Sequence, residues 1–198
     1  MEKESKREKK EKRIKVMIEV SARHCHLSQH DLDVLFGKGH QLKLFKKLSQ
    51  HSDFASSDVI TIENLGNKIE NIRIVGPPRK KRNIEISKTD ARYLKINPEI
   101  KIHETENDVK INAVGPKGEI KVPVIIKQRH VHMSDKEAES LGLKAGDKVK
   151  VHIGGPRAVT FENVIVRTDP LYKLSVHLDT DEGNAAGIDG IGEGELII

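Results

Sequence analysis

The chain has 198 residues, enough for one or two domains with a real core, but only 3% of it is aromatic and it has no Trp, so Ile, Val and Leu must build that core. Its one cysteine, Cys25, excludes an intrachain disulfide and points to a reducing, intracellular setting, and no run of about 18 apolar residues is present to span a membrane. The formal charge is +5, but residues 1–15 hold eight Lys/Arg against four Glu, which leaves 27 basic and 26 acidic residues in a nearly neutral body.

In chain order, residues 1–12 read as a solvated, charged tail. They lack the apolar run of a secretory signal, and they have no aromatic ring to stack on bases, which weakens a nucleic-acid arm as the alternative. A strand follows that carries Arg23-His24-Cys25-His26. Side chains alternate along a strand, so His24 and His26 share one face and Cys25 takes the other. Ser28 with Asp31 resembles a capping box and opens a short helix. Val59–Ile62 and Glu70–Val75 read as strands on either side of a Gly66-Asn67 turn. The basic run Arg79-Lys80-Lys81-Arg82, after Gly76-Pro77-Pro78, reads equally as an anion clamp or a solvated loop. Glu85 comes next. Thr89-Asp90 marks another short helix, with Thr89 as its cap. Strand signals return at Val109–Asn112 and Val122–Ile126, separated by the turn Gly115-Pro-Lys-Gly118.

From residue 127 the pattern starts again. Lys127-Gln-Arg-His-Val-His-Met-Ser134 repeats Ser21-Ala-Arg-His-Cys-His-Leu-Ser28 at a spacing of 106 residues. Ser134 and Glu137 form a capping box, Lys148–His152 reads as a strand and Gly154-Gly-Pro156 as a turn. Glu162–Arg167 echoes Glu70–Val75. Glu85 stands fifteen residues beyond Glu70, and His177 fifteen beyond Glu162. Thr180-Asp181 repeats Thr89-Asp90, with Thr180 as cap, and Asn184 follows in a small-residue turn. The chain therefore reads as two diverged copies of one unit, mainly β with short helices. Short strands between such turns point to barrels or sandwiches.

Two imidazoles on one strand face make half of a zinc site. Each copy offers a third donor at its equivalent place: Glu85 with His24 and His26, His177 with His130 and His132. Catalytic zinc keeps three protein ligands and one open position, so six donors suit two ions. The pattern leaves open whether each ion draws only on its own copy, and imidazole serves other divalent metals too. The competing reading is a packing motif kept by duplication. His30, His40, His51, His103 and His152 have no counterpart in the other copy and read as surface residues. Cys25 between two histidines could be an activated nucleophile, but it faces away from both and the second copy has Val131 there. A buried apolar filler is the simpler reading.

Taken together these residues resemble a known family. Ser21-Ala-Arg-His-x-His-Leu27, Gly76-Pro-x-Arg79, Glu85-Ile-Ser-x-Thr-Asp-Ala-Arg92, Arg129-His-x-His-Met133 and His177-x-Asp-Thr-Asp-Glu-x-Asn-Ala-Ala-Gly187 are similar, in kind and order, to the PduL-type phosphotransacylases, or phosphate propanoyltransferases. The likeness runs from about residue 15 to 187 and covers nearly all but the tail. It implies two β-barrels with short helical caps and a dinuclear zinc site between them. One ion would rest on His24, His26 and Glu85, the other on His130, His132 and His177. It implies Arg79 as the catalytic, phosphate-binding residue and a coenzyme A surface at Ser21, Lys46, Arg73, Val75, His177 and Asn184. It also implies that the first strand completes the C-terminal barrel, so that residues 23–127 form one domain and 13–22 with 128–198 the other.

The expected activity is reversible transfer of an acetyl or propionyl group between coenzyme A and phosphate, giving acyl phosphate. Departures from the family pattern are few: Cys25 and Pro78 stand in aliphatic positions and Gly183 replaces Ala. Family members packed in bacterial microcompartments carry an amphipathic N-terminal helix. From Glu2 to Lys15 this chain has only Ile14 as an apolar residue. A free cytoplasmic homo-oligomer is therefore expected, without shell, membrane or nucleic-acid partner. The rivals are a dinuclear metallohydrolase that uses the same six donors, and a metal-stabilised module that docks nucleic acid through the tail.

Overall fold

The computed structural model describes residues 11–50 and 53–198. The reading of the tail therefore falls almost wholly outside the described residues, as does that of His51. The first half contains β1 (Arg13–Ser21), β2 (His24–His26), α1 (Gln29–Phe36), β3 (Leu44–Lys47), β4 (Phe54–Asn64), β5 (Asn67–Gly76), β6 (Asn83–Glu85), α2 (Lys88–Tyr93), β7 (Ile100–Lys101), β8 (Lys110–Val114) and β9 (Glu119–Lys127). The second contains β10 (His130–Met133), α3 (Asp135–Leu141), β11 (Lys148–Ile153), β12 (Val159–Thr168), β13 (Ser175–Asp179), α4 (Thr180–Ala186) and β14 (Ile191–Ile197). No helix among the described residues is long and apolar enough to cross a membrane.

The protein is mainly β and its strands close two barrels. β4, β5, β2, β6, β9 and β8 pair in that order, and β8 pairs back with β4 to complete a six-stranded ring, with β3 and β7 added on its rim. β1, β13, β10, β12, β11 and β14 close the second. Each ring encloses its own aliphatic core. Ile60, Ile62, Ile72, Ile74, Ile84, Ile111 and Val124 fill the first, and Ile18, Val131, Met133, Val151, Val164, Val176 and Leu196 the second. Each such side chain contributes roughly 1.5–3 kcal/mol by leaving water. β-Branched residues fit a pleated wall well, which explains how a chain so poor in aromatics forms two cores.

The barrels repeat one topology. β2 lies between β5, parallel, and β6, antiparallel, with His24 opposite Arg73 and Glu85. β10 lies between β12 and β13 in the same way, with His130 opposite Ile165 and His177. The lead strands are exchanged. β1 precedes β2 in sequence yet joins β13 and β14; β9 precedes β10 yet joins β6 and β8. The exchange keeps register, since Glu19 meets His177 where Ile125 meets Glu85.

Each of the four helices among the described residues follows a strand that carries candidate metal donors, and each begins with a full capping box: Ser28 with Asp31, Ser87 with Asp90, Ser134 with Glu137, Asp179 with Glu182. Thr89 and Thr180 are therefore not the caps that the sequence led us to expect. The box needs its acid three residues on, and Asp90 and Glu182 meet that spacing only from Ser87 and Asp179. Asn184 likewise lies in α4 rather than in a turn, and Gly187 ends that helix at φ 71°. Gly183 has a packing reason, since a Cβ there would lie 2.7 Å from Val20 Cγ2. His30 and His103 are exposed as expected. His40 and His152 are half-buried instead, bonded to Asp58 and Thr160.

Candidate metal centre

The strand pairing draws the repeated histidines into two clusters. His24, His26 and Glu85 form one and His130, His132 and His177 the other, and within each trio the available donor atoms lie within 4.8 Å of one another. Zinc–nitrogen bonds of about 2.1 Å in a tetrahedron set donors roughly 3.4 Å apart. His24 Nε2 and Glu85 Oε2 are 3.5 Å apart, close to that requirement. Both lead histidines turn Nδ1 to the backbone carbonyl two residues earlier. His24 Nδ1 lies 2.8 Å from the Ala22 carbonyl and His130 Nδ1 2.9 Å from that of Gln128. A carbonyl can only accept, so Nδ1 carries a proton in each, and Nε2 is the atom left to face a metal. His26 does the same toward the Val75 carbonyl at 3.3 Å. His132 Nδ1 is buried with no hydrogen-bond partner among the described residues. Clustered imidazoles and a carboxylate are the donor set that a borderline divalent metal takes.

Residues to which the sequence assigned no site role frame these trios. The Arg that precedes each His-x-His reaches the helix beyond the third donor: Arg23 Nε lies 3.0 Å from Asp90 and Arg129 Nε 2.7 Å from Glu182. Each Arg thus ties the strand of two donors to the helix after the third. Lys127 Nζ holds Glu85 Oε1 at 2.8 Å, which leaves Oε2 toward His24. Glu19, opposite His177, accepts from Ser49 Oγ at 2.6 Å. Thr89 N donates to Asp181 at 2.9 Å, which joins α2 to α4. The charges of Glu85 and His24 reach His177 in the other trio.

Burial disfavours the charged forms of His26, His130, His132 and His177. It pushes His26 down from 6.5 to about 2, helped by His24 and Arg79. His130 and His132 fall well below 6.5, first through burial and then through His177. Burial alone would raise the Glu85 carboxyl, but His24 and Lys127 outweigh it and hold it below the usual carboxylate range. Below pH 6.5 the unfolded chain protonates its histidines while the folded chain resists. Stability contributed by His26, His130 and His132 is therefore full above that pH and lost as pH falls, by about 1.4 kcal/mol per ring and pH unit. Metal-free protein should melt at a lower temperature at pH 5 than at pH 7.5. Equal midpoints would contradict neutral burial.

The basic run divides. Arg79 is exposed, its backbone N bonds the Leu27 carbonyl at 2.9 Å, and its charge reaches His26. Arg82 pairs with the buried Asp31, and with Lys80 it lines a depression shared with Ser28, His30 and Lys121. Lys46, Ala55 and Val75 lie in one row across β3, β4 and β5. Arg73 is opposite His24, and its guanidinium covers the Phe45 ring at 4.6 Å. Ser21 ends β1 opposite Asp179, the cap of α4, on which Asn184 is exposed. Cys25 is fully buried in the first core, and burial pushes its thiol far up. It cannot serve as a thiolate. Cys25→Ser should cost about 1–3 kcal/mol by burying a hydroxyl, with turnover per folded molecule unchanged. A loss of turnover at full stability would restore the nucleophile reading.

The sequence model of the phosphate propanoyltransferase family matches residues 17–189. Proteins named phosphate propanoyltransferase are similar along most of their length. The one from Thermotoga maritima is 41% identical, over 86% of this chain and 83% of its own. That from Alkaliphilus metalliredigens is 40% identical over 93% and 88%, and that from Lachnoclostridium phytofermentans 43% over 87% and 83%.

Proposed function

The chain belongs to the phosphate propanoyltransferase family of phosphate acyltransferases, and on that premise we propose that it exchanges coenzyme A for phosphate on a propionyl or acetyl group at two zinc ions. His24, His26 and Glu85 hold one ion; His130, His132 and His177 hold the other. The observation that carries this reading is the pair of donor trios at equivalent register, His24 opposite Glu85 and His130 opposite His177. Residues 23–127 serve as one domain, 13–22 with 128–198 as the other, with the ions at their junction. We place the enzyme in the cytoplasm as a homo-oligomer free of shell, membrane and nucleic acid.

Bound metal supplies Lewis acidity toward phosphate and thioester oxygens. Arg79, exposed and without a carboxylate contact among the described residues, grips phosphate bidentately and aims one oxygen at the acyl carbon. Lys46 and Arg73 offer positive charge to the phosphates of coenzyme A, and Ser21, Val75, His177 and Asn184 complete its surface. Phosphate is itself the nucleophile, so no side chain needs to form a covalent intermediate. Free thiol released from propionyl- and acetyl-coenzyme A should require phosphate, and the faster substrate assigns the chain length. Release at the same rate without phosphate would make the protein a thioester hydrolase instead.

A further inference from the structure

Arg167, on β12, has no role in the reading above, yet it stands directly against the second trio. It is the register partner of His132. Its Nη1 lies 3.2 Å from His132 Nε2 and its Nη2 donates to the Tyr172 hydroxyl at 3.3 Å. The Tyr172 ring stacks on His132 at 4.1 Å, so one aromatic wall fixes both groups. These two side-chain partners among the described residues are both uncharged acceptors. A half-buried guanidinium usually has a carboxylate or another anion beside it, because its charge is costly to desolvate alone. Here the charge falls on His130, His132 and His177 together.

The repeat sharpens the point. His132 is the equivalent of His26, and Arg79 bears on His26 from the loop after β5, the strand equivalent to β12. In each trio the charge of a guanidinium therefore reaches the second histidine of the His-x-His, although the two arginines are not equivalent in sequence. The acyl-transfer reaction has two anionic centres. One is phosphate, which Arg79 takes. The other is the thioester carbonyl oxygen, which becomes an oxyanion as phosphate adds.

We propose that Arg167 is a second catalytic residue, whose guanidinium donates to the carbonyl oxygen of the acyl thioester and holds the charge that develops there. The assignment rests on the acyl-transfer reading. A phosphate oxygen pair forms the C–O bond, and the carbonyl π pair moves onto the oxygen held by Arg167. When that pair returns, the C–S bond breaks and the thiolate leaves with its electrons. The proton of hydrogen phosphate goes to the sulfur, so acyl phosphate and free coenzyme A account for every atom. Arginine suits the task because it stays charged when partly buried and presents a rigid fork of donors.

The test compares metal-loaded wild type with Arg167→Ala, Arg167→Lys and Arg79→Ala. Bound metal is counted, binding of inorganic phosphate is measured by calorimetry, and kcat and KM are taken with propionyl-coenzyme A. Arg167→Ala should keep its metal and its phosphate affinity but lose on the order of a hundredfold in kcat, partly restored by added guanidinium ion and by Arg167→Lys. Arg79→Ala should lose phosphate binding. Unchanged kcat, loss of metal, or loss of phosphate binding equal to that of Arg79→Ala would each overturn the assignment. Wild type that releases no coenzyme A with phosphate would overturn the acyl-transfer reading itself.

Discussion

Arg79→Ala is expected to remove phosphate-dependent release of coenzyme A and to leave both metal sites filled. The guanidinium is exposed, and its backbone N, bonded to the Leu27 carbonyl, survives the substitution. The loop after β5 should therefore keep its path while the charge that fixes phosphate is lost. A preorganised donor of this kind is worth roughly 10²–10³ in rate, and the loss should appear in kcat/KM for phosphate. Lysine should recover only part of it, because a point charge cannot grip two oxygens at once. Arg82→Ala should behave differently. It strips the buried Asp31 of its partner, so stability should fall while phosphate affinity is retained. A matched loss of metal in Arg79→Ala would mean that this arginine supports the fold instead.

His24→Ala and His130→Ala should each lose one ion from the pair and lower turnover by at least roughly a hundredfold. The trios use separate donors, so each substitution should spare the other site, and metal counted per folded chain would show one ion left in both variants. The two sites are also electrostatically joined: the charges of Glu85 and His24 reach His177, and Lys127 acts on Glu85, His130 and His132. Loss of both ions on removal of one donor would mean that the trios assemble only together.

The grouping of donors was legible in the sequence because duplication printed it twice. A single His-x-His says little; two copies followed by Glu85 and His177 at matching distances mark positions that β-pairing then brings face to face. Barrel closure was not legible from the residues themselves. It depends on β8 pairing with both β4 and β9, and on β1 leaving its own copy to join β13 and β14. Such long-range pairing leaves no local periodicity to read. The caps at Ser28 and Ser134 stand where the sequence put them, but those of α2 and α4 lie one or two residues earlier than expected, because Thr89 and Thr180 are good cap types whereas spacing to the acid decides for Ser87 and Asp179. Arg167 and Lys127 do not stand out in the repeat because the equivalent positions hold Val75 and Ser21. A charge present in one copy and absent from the other, on a strand beside a donor, was the signal available.

The most direct test of the account is chelation of purified protein followed by titration with zinc, with bound metal and phosphate-dependent release of coenzyme A measured on the same samples. Release should disappear with the metal and return as two ions per chain are restored. Full release from protein shown to contain no metal would contradict it, whatever the two histidine trios resemble.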